Sequence, residues 1–159
     1  MGFDVLRKPG PSERNGEATP FVIEQSISHL VALSARLFAR ALQTRFEDYG
    51  VSVGQWPLLL FLWEQDGLTQ KELSRRVQIE EPTATRTLGR MERDGLVRRV
   101  RGARDRREVR VHLTERGRAL RDELIPCVQE VNSRASHGLS EQEKARLTSL
   151  LRYLIARLG

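Results

Sequence analysis

The sequence predicts a mainly α-helical fold with one small antiparallel β-hairpin, and three observations predict it. Apolar residues recur at spacings of three and four through most of the chain's 159 residues, the period of an amphipathic helix. A hydroxyl residue followed three positions later by Glu or Gln, the spacing of a capping box, recurs at Ser52/Gln55, Thr69/Glu72 and Ser140/Glu143. The period changes to two in one region only, on either side of a basic, glycine-led loop. The length suffices for one globular domain with its own core.

Residues 1–20 read as a flexible tail. Lys8-Pro9-Gly10-Pro11-Ser12, Asn15-Gly16 and Thr19-Pro20 bury too little apolar area to offset the entropy of ordering them. A first long helix is expected from Phe21 to about Tyr49, with Ile23, Ile27, Leu30, Ser34, Leu37, Phe38, Ala41 and Leu42 on a stripe that Val31 and Phe46 widen. A helix this apolar needs cover on more than one side, which burial in a dimer supplies. Gly50 ends it. Ser52 and Gln55 then cap a second helix, Trp56 to Gln65, whose run Trp56-Pro57-Leu58-Leu59-Leu60-Phe61-Leu62-Trp63 is apolar nearly all round and reads as the central core helix. Pro57 lies early enough in it to be tolerated.

Thr69 and Glu72 open a third helix with Leu73 and Val77 facing inward. Gln78-Ile79-Glu80-Glu81 interrupts the pattern, and Pro82 restarts it, because its fixed φ suits a first helical turn. The fourth helix runs to about Asp94, with Gly95 as the residue that leaves it. On a helical wheel Ala84, Leu88 and Met91 form one side. Arg86, Arg90 and Arg93 form the other, with Thr83 and Gly89 at its margins. Leu96 to Arg101 is strand-like, Val109 to Leu113 alternates, and Gly102 to Glu108 is too basic to bury. Helix, turn, helix and hairpin make a winged helix-turn-helix, here 51–113. Thr114 caps a fifth helix carrying Leu120, Leu124, Cys127, Val128 and Val131, in which Pro126 is expected to produce a kink. His137-Gly138 closes it, and Ser140 caps a last helix with Leu147, Leu150, Leu151, Leu154, Ile155 and Leu158.

Charge locates the partner. Residues 86–110 hold ten arginines against Glu92, Asp94, Asp105 and Glu108, a net +6, and the whole chain is also +6. A basic patch confined to one structural unit is an electrostatic footprint for phosphate. The second helix of a helix-turn-helix enters the major groove of DNA, where Arg86 and Arg90 can bond guanine edges and Thr83 can reach bases or phosphates. Arginines of the hairpin tip can enter the narrow minor groove, and Asp105 is expected to pair with and aim Arg107.

Asp105-Arg106-Arg107-Glu108-Val109-Arg110-Val111-His112-Leu113-Thr114 with Gly117 resembles the wing signature of the MarR family of bacterial transcription regulators. Ile79-Glu80-Glu81-Pro82 through Arg86-Thr87-Leu88, and Met91-Glu92-Arg93-Asp94-Gly95-Leu96-Val97, resemble the recognition-helix region of its SlyA-like branch. The resemblance covers roughly residues 22 to 158. It implies a minor-groove contact by Arg107, oriented by Asp105 with Arg106 beside it. It also implies a two-fold homodimer whose helical ends, 21–50 and 114–159, interlock. Two such lobes read inverted half-sites about one helical turn apart, roughly 34–36 Å. Members of the family bind small aromatic carboxylates or phenols between the dimerisation helices and the DNA-binding lobe. Trp56 as a stacking wall, Arg36 as a carboxylate partner and His29 near the dimer seam are the candidates. The expected function is a sequence-specific repressor released by such an effector.

Other chemistries find less in the residues. His29, His112, His137 and Cys127 show no metal-ligand spacing, and no cofactor is indicated. Cys127 lies in the register of Leu124 and Val131, where a thiol acts as a small hydrophobe, which argues against thiol sensing; redox switching through it is the alternative that would need a lowered thiol pKa and exposure. A sequence-tolerant architectural module is another. No phosphate-binding glycine loop, nucleophile elbow or carboxylate–histidine pair suggests an enzyme. Neither a membrane span nor a signal peptide is read, and with a single cysteine a cytoplasmic protein is expected.

Overall fold

A computed structural model of the chain describes residues 22–102 and 108–159. The elements follow the expected order: α1 (Ile27–Phe46), α2 (Trp56–Glu64), α3 (Gln70–Val77), α4 (Glu81–Arg93), β1 (Val97–Arg101), β2 (Val109–Leu113), α5 (Glu115–Ala135) and α6 (Glu141–Leu158). The flexible tail expected over residues 1–20 lies outside the described residues, as does the hairpin tip, residues 103–107. The described residues divide into two compact units, the first ending at Arg36 and the second running from Leu37 to Gly159.

In the first unit the expected continuous helix is divided. Ile23–Gln25 form a short 3-10 turn, and the extended backbone of Ser26 separates it from α1. The Ser26 hydroxyl faces the His29 amide at 3.5 Å, so the serine starts the helix instead of lying within it. Ile27, Leu30, Val31 and Leu33 are exposed here.

In the second unit α1 ends at Phe46, a 3-10 turn covers Glu47–Tyr49, and Gly50 turns the chain at φ 66°. Phe46, Val51, Leu58, Leu59, Leu62, Leu73, Leu88, Met91, Leu96, Val111 and Leu124 form the core. α2 supplies Leu58, Leu59 and Leu62, but its start differs from the capping box read from Ser52 and Gln55. Gln55 itself is the N-cap, and no side chain caps the helix. Residues 52–55 form a turn, in which the Gln55 Oε1 accepts the Ser52 amide at 2.9 Å. Half of the box exists, but it lies ahead of the helix.

The capping box of α3 is complete. Thr69 Oγ1 accepts the Glu72 amide at 3.1 Å, and Glu72 Oε2 accepts the Thr69 amide at 2.8 Å. Gln78 leaves α3 in the left-handed region, at φ 57°, and makes the turn into α4. Pro82 occupies the first turn of α4 and Gly95 follows its end at φ 70°. Strands β1 and β2 pair antiparallel, with Val97 opposite Leu113 and Arg99 opposite Val111. A third short edge joins them. The Gly67 amide donates to the Val111 carbonyl at 3.0 Å, and the Val111 amide to the Leu68 carbonyl at 2.9 Å. The Thr114 hydroxyl caps α5, and α5 continues through Pro126 without interruption. α6 has a second complete capping box, Ser140/Glu143, and no buried residue. Among the described residues no helix is long and apolar enough to cross a membrane.

Candidate nucleic-acid interface

Helix α4 has two opposed faces. Ala84, Leu88 and Met91 are fully buried against the core. Thr83, Arg86, Arg90 and Arg93 are exposed. Three guanidinium groups therefore project from one side of a helix whose other side is fixed by packing. Beside it stands the hairpin, closed by the Gly102 amide donating to the Glu108 carbonyl at 2.8 Å. Asp105, Arg106 and Arg107 lie within that closure but outside the described residues. Arg98 and Arg110 are exposed on the strands. Arg110 pairs with Glu108 at 2.7 Å and donates to the Gly67 carbonyl at 3.1 Å.

Several side chains that the sequence reading did not single out hold this surface in place. Glu92, at the end of α4, receives Arg99 of β1 through Nε at 2.9 Å and Nη2 at 2.8 Å, and accepts the Arg99 backbone amide at 2.9 Å. The Arg99 side chain, then its backbone amide, hold the Glu92 carboxyl below its ordinary value. Asp66 serves the hairpin root. Its Oδ1 accepts the Leu113 amide at 2.8 Å and the Gly67 amide at 3.0 Å, and its Oδ2 accepts Arg118 at 2.8 Å. Burial opposes ionisation of Asp66, but the Leu113 amide, Arg118 and the Gly67 amide together outweigh it and lower its pKa. The Thr69 amide, then its hydroxyl, lower that of Glu72. At the same end of α4, buried Gln55 donates to Asp94 Oδ2 at 2.8 Å, and Arg116 donates to the Asp94 carbonyl at 2.6 Å and the Tyr49 carbonyl at 3.2 Å. The strand period carried one usable signal: Val97 and Arg99 share a face, so Arg99 points the way Val97 does, toward the helices.

The effector candidates are placed as follows. His29 is half-buried and Arg36 exposed on α1. Trp56 packs with Phe46 at a ring separation of 5.3 Å and edge-on to Trp63 at 5.6 Å, at the margin of the core. A cavity of about 350 Å³ in the second unit is lined by Gln43, Glu47, Gln55, Arg90 and Asp94 among others, and by none of those three. Cys127 is half-buried against the core, its thiol facing the Glu123 carbonyl at 3.4 Å. Cys127, then burial and Glu123, raise the pKa of the neighbouring Tyr49 hydroxyl. Among the described residues no three His, Cys, Asp or Glu side chains converge as a metal site requires.

Comparison with known proteins points one way. A family model described as the MarR family matches residues 49–108, from the turn before α2 to the end of the hairpin loop. The chain is 30% identical over 148 residues to the HTH-type transcriptional regulator TtmR of Methylorubrum extorquens, covering 92% of this chain and 76% of that protein. It is 27% identical over 151 residues to the HTH-type transcriptional repressor NicR of Pseudomonas putida, covering 95% and 96%. The crystal structure of a MarR transcriptional regulator from Methanosarcina mazei superposes with a TM-score of 0.77 at 27% identity, covering 82% of this chain and 94% of that one.

Proposed function

Because this chain belongs to the MarR family, we propose that it is a homodimeric regulator of transcription that binds an inverted-repeat operator in double-stranded DNA. One observation carries this reading: Arg86, Arg90, Arg93 and Thr83 are exposed on α4 opposite a fully buried face. That is the arrangement a helix needs to be rigid on its core side and to offer guanidinium forks to base edges on the other. Arg86, Arg90 and Thr83 read the major groove, and Arg93 adds to the same basic face. Arg107, aimed by Asp105 with Arg106 beside it, enters the minor groove. Phosphate neutralisation supplies much of the affinity, which therefore falls steeply with salt.

The homodimer is supported by the exposed apolar residues of α1 and α6, the helices assigned with α5 to the dimerisation regions 21–50 and 114–159, outside the DNA-binding lobe 51–113. NicR is by name a repressor, and repression is the role proposed here. Release follows when a small aromatic carboxylate or phenol, held by Arg36, Trp56 and His29, binds better to a dimer whose recognition helices are misplaced for DNA. It lowers DNA affinity by that differential binding. The site of action is cytoplasmic DNA, and the chain acts as a binding protein, not an enzyme.

Fluorescence anisotropy tests the reading. The probe is a duplex carrying the inverted repeat upstream of the protein's own gene, beside scrambled DNA at matched salt, with and without a panel of aromatic carboxylates. The expected result is preference for the repeat, loss of that preference in Arg107→Ala with the fold intact, and release by one panel member. Equal affinity for both duplexes would replace the regulator with a sequence-tolerant architectural module.

A further inference from the structure

Among the described residues a side-chain pair joins the two elements assigned to DNA. Glu92 lies in the last turn of α4 and Arg99 at the centre of β1. One carboxylate accepts three hydrogen bonds from one residue, two from the guanidinium and one from the backbone amide. The guanidinium bonds orient a planar fork. The amide bond does more, because it holds the strand itself. Among the described residues β1 has β2 on one side only, so its other edge carries amides without a ladder partner. Glu92 supplies that partner for Arg99. The guanidinium also lies along α4: a Cβ placed on Gly89 would stand 3.9 Å from Arg99 Nη2. A Cβ there makes ordinary van der Waals contact with the guanidinium, and a longer side chain directed toward β1 would crowd it.

We infer that Glu92 and Arg99 are positioning residues that set the angle between the recognition helix and the wing, and so serve sequence discrimination and not phosphate attraction. The inference rests on the reading of α4 and the hairpin as the DNA-contacting elements. Its physical basis is leverage. The hairpin loop begins three residues past Arg99, on the order of 10 Å at the rise of a strand. A rotation of about 10° at the pair moves that point by roughly 2 Å, beyond the distance range over which a hydrogen bond survives. Groove contacts made by the helix and by the wing would then no longer be satisfied together on one operator. Arg99 is thereby distinguished from Arg86 and Arg90: its charge is matched within the protein, and its side chain is 29% exposed.

The pair is tested with Arg99→Lys, which keeps the charge and removes the fork, and Glu92→Gln, which keeps the shape and removes the charge. Affinities for the inverted repeat and for scrambled DNA are measured across a salt series. Arg99→Lys is expected to lose about tenfold on the repeat, the scale of a charge-assisted hydrogen bond, with scrambled-DNA affinity and salt slope unchanged. Glu92→Gln is expected to weaken binding to the repeat while strengthening binding to scrambled DNA, since it removes a negative charge near phosphate. A loss of equal size on both duplexes in Arg99→Lys, or no loss on either, overturns the inference. Independently of DNA, spin labels at Thr85→Cys and Val100→Cys in a Cys127→Ser background report the angle. Both variants, and Gly89→Leu, which crowds the guanidinium in a helix that favours leucine over glycine, should broaden a narrow distance distribution. An unchanged distribution also overturns it. A wild-type chain that cannot tell repeat from scrambled DNA defeats the regulator reading, and the distance measurement then decides the pair alone.

Discussion

The Leu96 carbonyl oxygen approaches Gly117 so closely that a Cβ on the glycine would lie 2.1 Å from it. That oxygen is backbone and cannot swing aside. It already accepts the Thr114 amide at 3.0 Å and the Thr114 hydroxyl at 3.1 Å, while the Gly117 carbonyl accepts Trp63 Nε1 at 2.8 Å. Helix α5, the start of β1 and helix α2 therefore meet at a residue with no side chain. Gly117→Ala gains helix propensity of about 1 kcal/mol but forces backbone apart, at a cost of about 1–3 kcal/mol or more for overpacking. The expected outcome is net destabilisation, read as a lower urea midpoint with an unchanged slope. An unchanged midpoint would show that β1 and α5 can separate freely at this point.

Asp66 gives the fold an acid limb. Its folded pKa is lowered relative to an unfolded value of about 3.9. Its contribution is therefore fully present above that unfolded value and is lost as pH falls through the folded one. Glu72, Glu92 and Glu143 shift in the same direction, so the wild-type chain should lose stability steadily below about pH 4. Asp66→Asn should be less stable at pH 7 and lose less between pH 5 and pH 3, so the two stability curves converge on acidification. Urea midpoints at four pH values check this, and parallel curves would remove Asp66 from the account. Its position explains why the effect matters for DNA: it holds the Leu113 and Gly67 amides, the root of the hairpin.

What was legible in the sequence was local. The starts of α3, α5 and α6 were readable because Thr69, Thr114 and Ser140 bond amides within the next four residues. The face of α4 was readable because Ala84, Leu88 and Met91 follow one period. Spacing alone does not say where a helix begins: Ser52 and Gln55 have the spacing of a cap where there is a turn, and Ser26 carries no distinguishing signal inside an apolar run. Tertiary partners were not legible. Glu92 looks like a solvated acid until Arg99 is folded against it, and Asp66 like a loop residue until Leu113 and Arg118 arrive from far along the chain. The edge at Gly67 and Leu68 is too short to carry a strand period. The partnership of Asp105 with Arg107 stays a reading of the sequence, since both lie outside the described residues.

Helix α6 has the correct start and period for a stable amphipathic helix, yet none of its residues is buried in the single chain. Leu147, Leu150, Leu151 and Ile155 are between 41% and 60% exposed. Fully burying one such side chain contributes about 1.5–3 kcal/mol, so a contiguous apolar stripe of this kind favours association strongly. A second copy covers it in the proposed homodimer. Leu147→Glu combined with Leu151→Glu places two charges on adjacent turns of that stripe without touching the core of the second unit. Sedimentation should then show the dimer replaced by monomer or by a chain that unfolds at lower urea, since many such dimers have no stable monomer. Operator affinity should fall by more than tenfold, because half-sites read separately no longer reinforce each other. Wild-type sedimentation and wild-type operator affinity in the double variant would mean that α6 lies outside the interface, and that the two-fold reading of an inverted repeat must be built from another surface.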